Sequence, residues 1–250
     1  MERHPKKTVN NTFYDDLHEQ WDVAQNHPIA LLRAENKARN PWILRTLQKE
    51  IGRTGKVLDI GCGAGFLCNT LAKEGYTLHG IDLSAASLHR AQEQDLTKSV
   101  SYKEAPAENL PFEASTFDAV CAMDLLEHVQ DPKLIVQEAS RVLKPGGLFF
   151  FHTFNRNPLS FLLIIKGVEW FVQNTPPDMH LYSLFLKPRE LEKMCQEASL
   201  SWKEVQGLRP AFATKSFWKM LCTRKVDENF SFCFTPSLAT GYVGYACKTL

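Results

Sequence analysis

The sequence has almost no excess charge of either sign: 29 Lys and Arg residues stand against 28 Asp and Glu. Binding to a phosphate backbone usually leaves a basic footprint, so nucleic acid is not expected as the main partner. Patterned cysteine is also missing. The seven Cys residues are scattered, no two have C-x-x-C spacing, and no Cys/His cluster repeats a zinc pattern. Free thiols in a reducing compartment follow as the expectation. No apolar core stands behind the charged start Met1-Glu-Arg-His-Pro-Lys-Lys, which argues against a signal peptide. Asp15, Asp16 and Glu19 argue likewise against a mitochondrial presequence, and the reading is cytoplasmic. Long hydrophobic runs are lacking too. The stretch Leu159–Val172 is strongly apolar but carries Lys166 and Glu169, and is too short to cross a bilayer. There is no internal repeat and no low-complexity segment.

What is present is enough for a core: 250 residues, 44% of them hydrophobic, fit one α/β domain with additions. The most informative stretch is Val57-Leu-Asp-Ile-Gly-Cys-Gly-Ala-Gly-Phe66. Its apolar start reads as a buried strand. Gly61, Gly63 and Gly65 then allow a sharp turn and a close backbone approach to a ligand. A second apolar run, Tyr76 to Ile81, ends in Asp82, where a carboxylate at the sheet edge reaches a ribose diol. These features describe a nucleoside-binding crevice. Asp59, an ionisable group inside the first strand, would pair with a cationic or amino-bearing ligand.

Alternation continues along the chain. Strands are expected at about 56–60, 77–81, 99–103, 117–122 and 147–153, with helices over 65–74, 84–94 and 131–143. Ser84 and Asp131-Pro132 supply helix starts, and Lys144-Pro-Gly-Gly147 supplies a stop. Residues 1 to about 10 read as a polar tail. A short amphipathic helix is expected from Thr12, and a further helix with Pro41 in its first turn. Residues 1–50 thus form an N-terminal helical segment. Residues 51–250 form the main domain, with an insertion at about 157–186 and strands after Leu200 that finish the sheet. The fold expected is a doubly wound, mostly parallel α/β sheet with ligands at the carboxyl ends of its strands.

The glycine loop, Asp82, the turn Ala107-Glu-Asn-Leu-Pro-Phe112 and the strand Phe117-Asp-Ala-Val-Cys-Ala-Met-Asp124 together resemble the class I S-adenosylmethionine-dependent methyltransferases, over about residues 40–155. That resemblance implies a Rossmann-like fold and S-adenosyl-L-methionine as cofactor. Met123-Asp-Leu-Leu-Glu-His-Val129, Thr153-Phe-Asn-Arg-Asn157, Met179-His180 and Phe185-Leu-Lys-Pro-Arg-Glu-Leu191 look like the ubiquinone-biosynthesis O-methyltransferases, which act on polyprenylated phenols and catechols. By that likeness Arg39, Gly61, Asp82 and Met123 are cofactor contacts, with Arg39 toward the methionine carboxylate; the strand and loop reading adds Asp59, Gly63 and Gly65 as cofactor-binding residues. The family's double tryptophan and "PLH" segment are not visible; a lone Trp21 and Ala30-Leu-Leu-Arg33 stand instead.

A sulfonium methyl is already electrophilic, so the difficulty lies with the nucleophile. A phenol is ionised to about one part in a thousand at neutral pH, a deficit of roughly 4 kcal/mol. Asp124, Glu127 and His128, close in sequence on a short helix, offer a base or a divalent-ion site. The resemblance implies Mg2+ there, with Asp124 in place of a more usual Glu; a purely structural role for Glu127-His128 is the alternative. His180 is a second candidate base. The insertion carries Phe161, Leu162, Ile164, Ile165, Val168, Trp170 and Phe171, which would roof the pocket of a lipophilic aromatic substrate, touch a membrane surface, or do both. Peripheral attachment at the inner face of the membrane and assembly with other quinone-biosynthesis enzymes complete the expectations. A different small-molecule acceptor, a nicotinamide-dependent oxidoreductase and a non-catalytic cofactor-binding module remain as alternatives. Cys62 reads as a small packing residue and His152 as a satisfied strand histidine.

Overall fold

The structure is a computed structural model that describes residues 9–249, so most of the expected polar tail lies outside the described residues. A 3₁₀ turn, Thr12–Asp16, and α1 (Gln20–Val23) lead into the long helix α2 (Ile29–Glu50). There follow β1 (Lys56–Ile60), α3 (Phe66–Lys73), β2 (Thr77–Asp82), α4 (Ala85–Gln94), β3 (Ser101–Glu104) and β4 (Phe117–Met123). A 3₁₀ turn at Leu126–His128 precedes α5 (Pro132–Val142) and β5 (Leu143–Phe154). The insertion is helical throughout its first half: α6 (Pro158–Ser160), a π-helical segment Phe161–Lys166, and α7 (Gly167–Phe171). Then come α8 (Pro188–Glu197), β6 (Leu200–Pro210), α9 (Lys215–Thr223), β7 (Phe232–Thr235) and β8 (Gly241–Lys248).

The strands form one sheet in the order β3-β2-β1-β4-β5-β8-β6-β7. The first five are parallel, and the last three join antiparallel. The expected doubly wound sheet is present. The chain winds outward from β1 to β3 and returns to β4 beside β1, which places a switch point at their carboxyl ends.

Because both faces are covered, the central strands are apolar on both sides. Leu58, Ile60, Val120, Ala122, Phe149 and Phe151 pack toward α5 and α8. Val57, Ala119, Cys121, Met123, Leu148 and Phe150 pack toward α2 and α3. Strand alternation therefore puts Asp59 and His152 on the same face as Val57 and Phe150, under α2. The polar residues of α2 meet them there.

One expectation is corrected. Pro41 does not open a helix; it lies inside α2, which begins directly after Pro28. An interior proline forfeits one backbone hydrogen bond and costs about 3 kcal/mol. Pro41 faces solvent, while burial of Ile29, Ala34, Trp42, Ile43 and Leu47 on the same helix offsets that cost. The caps behave as expected. Ser84 Oγ accepts from Ser87 N at 3.1 Å and Asp131 Oδ1 from Lys133 N at 3.1 Å. The insertion helix starts on a capping box, Asn157 Oδ1 accepting from Ser160 N at 3.0 Å and Ser160 Oγ from Asn157 N at 3.3 Å.

Candidate active site

The glycine loop leaves β1 with Gly61, Gly63 and Gly65 at φ of 70°, 50° and 74°, a region that L side chains enter only with strain. Gly65 is also a packing requirement: a Cβ there would stand 2.3 Å from Tyr102 Oη and 2.9 Å from Ala91 Cβ. The loop is pinned from β2. Asp82 Oδ2 accepts from Gly63 N at 2.8 Å and Oδ1 from Ser84 N at 2.9 Å. Burial raises the Asp82 carboxyl and these backbone donors oppose it. Loop and strand ends open on a cavity of about 510 Å³, lined by Arg39, Asp59, Gly61, Gly63, Asp82 and Met123 among others. Its roof comes from the N-terminal segment. Trp21 lies over Gly63, stacks on Tyr14 at 5.6 Å between ring centroids and meets the edge of Phe66 at 5.8 Å.

Behind this cavity lies a buried charge cluster. Arg39, 2% exposed, forms an ion pair with Asp124 and places Nη1 3.1 Å from His152 Nδ1. His152, fully buried on β5, also bonds Asp124 through Nδ1. Burial works to raise the Asp124 carboxyl, but Arg39 and His152 override it and hold it well below the usual carboxylate range. Asp124 sits at φ 56°, a left-handed conformation that Asp tolerates better than most residues. Glu127 is fully buried and neither of its oxygens has a good hydrogen-bond partner. Burial, then Asp124, pushes it up to about 8. Burial likewise lifts Glu35 and Asp59 to about 7 each.

A second cavity of about 430 Å³ is mostly apolar, walled by the insertion, α9 and β7 through residues such as Leu162, Val168, Trp170, Phe217, Met220 and Phe232. The two cavities share Tyr14, Leu32, Asp124 and His128. His180 lines the apolar cavity, its ring 5.2 Å from that of His128 and 5.2 Å edge-on to Phe154. Burial pushes His128 down to about 4 and His180 to about 3, so both imidazoles are neutral at pH 7.

The residues singled out from the sequence thus separate into groups. Gly61, Gly63, Asp59, Asp82, Arg39 and Met123 line one cavity, and Gly65 shapes the loop behind it. His128 and Asp124 stand in the shared wall, with His180 beyond it. Glu127 lines neither cavity. Asp124, Glu127 and His128 are not the set that draws together: among the described residues the ligand atoms lying within 4.8 Å of one another belong to Glu35, Asp124 and His152. Sequence reasoning missed Tyr14 and Glu35 and read His152 as a satisfied strand histidine, whereas its Nε2 is buried without a partner. Two signals were available: Glu35 and Arg39 lie four apart on one helix face, and His152 interrupts an apolar strand.

The donor set suits S-adenosylmethionine. Asp82 stands at the end of β2 and Asp59, buried, within β1, and both carboxylates line the crevice. Arg39 Nε and Ser87 Oγ are buried without partners beside the same crevice. Residues 58–151 match the family described as a methyltransferase domain. The magnesium protoporphyrin IX methyltransferase of Synechocystis PCC 6803, solved with bound SAH, superposes with a TM-score of 0.66 over 96% of each chain at 15% identity, which speaks for the fold. Fold, crevice and family match define an S-adenosylmethionine-dependent methyltransferase of the Rossmann-like class. Two sequence relatives narrow this further. The ubiquinone biosynthesis O-methyltransferase of Leptothrix cholodnii is 38% identical over 82% of this chain and 88% of its own. That of Acinetobacter baylyi is 37% identical over 84% of this chain and 87% of its own. The chain belongs to the ubiquinone biosynthesis O-methyltransferases.

Proposed function

We propose that this protein methylates a ring hydroxyl of a polyprenylated phenol or catechol in ubiquinone biosynthesis. The observation that carries the reading is the wall of Tyr14, Leu32, Asp124 and His128, common to a polar cofactor crevice and an apolar acceptor cavity. S-Adenosylmethionine supplies an electrophilic methyl group when bound. Around it, Trp21 and Tyr14 exclude water, and the apolar cavity aligns the ring; such alignment contributes up to about 7–11 kcal/mol in the best intramolecular cases. The Nδ1 atom of His128 has no partner among the described residues, and in the tautomer that leaves it unprotonated it is the acceptor we assign to the hydroxyl proton. His180, its ring tilted against that of His128 at 5.2 Å, is the second imidazole in reach of that proton. Glu127 holds the wall from behind without touching substrate.

With a prenylated catechol and S-adenosylmethionine, the purified protein is expected to form a methyl ether detectable by mass spectrometry. His128→Asn should lower turnover by about 10²–10⁴-fold, the usual contribution of a general base. Full turnover in that variant would remove His128 from the chemistry, and no methylation of any catechol would remove the reading itself. Mg2+ held by Asp124, Glu127 and His128 is the other means of binding a catecholate. It requires Asp124 to exchange Arg39 and His152 for the ion. Activity unchanged by a chelator and by Glu127→Ala would dispose of it.

We also propose that the insertion attaches the protein to the cytoplasmic membrane face. Among the described residues no helix is long and apolar enough to cross a membrane. Yet Leu159, Leu162, Trp170 and Trp218 are 45%, 47%, 55% and 61% exposed, and Leu162 and Trp170 also line the acceptor cavity. Apolar surface at a cavity mouth fits collection of a lipid-borne substrate. Each large side chain fully buried in an apolar phase contributes about 1.5–3 kcal/mol. Exchanging Leu162, Trp170 and Trp218 for Ser should therefore lower sedimentation with liposomes by at least about 100-fold. Equal sedimentation would refute attachment through this surface, and co-purification without lipid would favour assembly with other quinone-biosynthesis enzymes.

A further inference from the structure

Glu35 is 7% exposed and opens into the acceptor cavity from α2. Among the described residues its carboxylate accepts no hydrogen bond. The nearby imidazole nitrogen, His152 Nε2, stands 4.0 Å from Glu35 Oε1, beyond hydrogen-bond reach, and is itself buried without a partner. A buried carboxylate left without a donor is costly, whereas one that meets a ligand hydroxyl is not. Arg39, on the same helix, is committed to Asp124 and His152 and does not meet this need.

We propose that Glu35 is a specificity-determining residue that binds the ring hydroxyl next to the one being methylated, and so selects a vicinal diol over a monophenol. This rests on the reading of the apolar cavity as the acceptor site. Geometry sets the order of the two hydroxyls. The transferring oxygen belongs at the wall shared with the cofactor crevice, where Asp124 and His128 stand. Glu35 borders only the acceptor cavity, yet its carboxylate oxygen lies within 4.8 Å of an Asp124 oxygen. A neighbouring hydroxyl on the same ring therefore falls beside Glu35 and donates to it. Ile29, Leu31, Leu32 and Phe154 of the same lining carry no polar side-chain atom, and the other polar groups there include Tyr14, His128, His180 and Thr240.

The test compares kcat/KM for a prenylated catechol with that for the same ring lacking the second hydroxyl, in wild type, Glu35→Gln and Glu35→Leu. Wild type should prefer the diol, and both variants should lose that preference by about 10–100-fold, the loss falling on the diol through KM. Stabilisation by S-adenosylhomocysteine in a thermal shift should survive in both variants, because Glu35 does not border the cofactor crevice. Equal losses for the two acceptors would mark a structural role and overturn the proposal. A measurement on wild type alone can also overturn it: equal affinity for the two rings in the S-adenosylhomocysteine complex leaves no preference for Glu35 to supply. Failure of wild type to methylate either ring is a different result, and strikes the acceptor-site reading instead.

Discussion

Arg39→Met is expected to destabilise the protein by about 3–5 kcal/mol, the usual cost of removing one partner from a buried ion pair. The Arg39 side chain is 3% exposed and lies against both Asp124 and His152. Methionine fills a similar volume but leaves the Asp124 carboxylate, 16% exposed, with His152 as its remaining partner. Asp124 keeps its proton off only because Arg39 and His152 outweigh burial, so the variant gives up much of that balance. Urea unfolding with and without S-adenosylhomocysteine measures the effect, and cofactor affinity should fall with it, because Arg39 also borders the crevice. Adding Asp124→Asn to Arg39→Met should restore part of the stability. The second change removes the stranded charge, and Asn accepts the left-handed backbone at position 124 as readily as Asp. A double variant no more stable than Arg39→Met would mean that the ion pair is not the source of the loss.

How much of this site the sequence displays depends on how local the interaction is. The glycine loop and Asp82 are legible because their function lies in short-range spacing: a strand, a turn at positive φ, and a carboxylate at the next strand's end. Arg39 was legible only through family resemblance. Tyr14 was not, since nothing nearby in sequence announces its partners, and Glu35 showed only its spacing from Arg39 along α2. Glu35 meets His152 across 117 positions only because α2 packs on one face of the sheet and alternation turns His152 toward it. Pro41 shows the opposite failure. A local rule placed a helix start there, and burial along α2 outweighed the rule. The insertion was conspicuous by composition, but only the fold shows that Leu162 and Trp170 both line a cavity and face solvent.

From about pH 5 to pH 8 the folded protein should lose stability through Glu127, by up to roughly 1.4 kcal/mol per pH unit. Burial and the neighbouring Asp124 charge lift this carboxyl to about 8, against an ordinary value of 4.5. In the unfolded chain it has lost its proton above about pH 4.5, while in the folded protein it keeps it to about pH 8. The folded state therefore binds more protons across that window, and stability falls as pH rises. Arg39 and the Thr153 hydroxyl face the same carboxyl and moderate the shift without reversing it. Glu35, Asp59 and Asp82 are raised in the same direction, while the lowered His128 and His180 act in the opposite sense below their ordinary value of 6.5, so the wild-type slope is a sum over several groups. Glu127→Gln isolates one of them. It mimics the protonated acid, and should match wild type near pH 5 and exceed it in denaturant midpoint at pH 8. Identical curves at both pH values would show that Glu127 is not the group titrating. The same variant also bears on the chemistry. A divalent ion on Glu127 needs the carboxylate, whereas a wall residue that is already neutral at pH 7 does not, so Glu127→Gln should retain turnover while it gains stability.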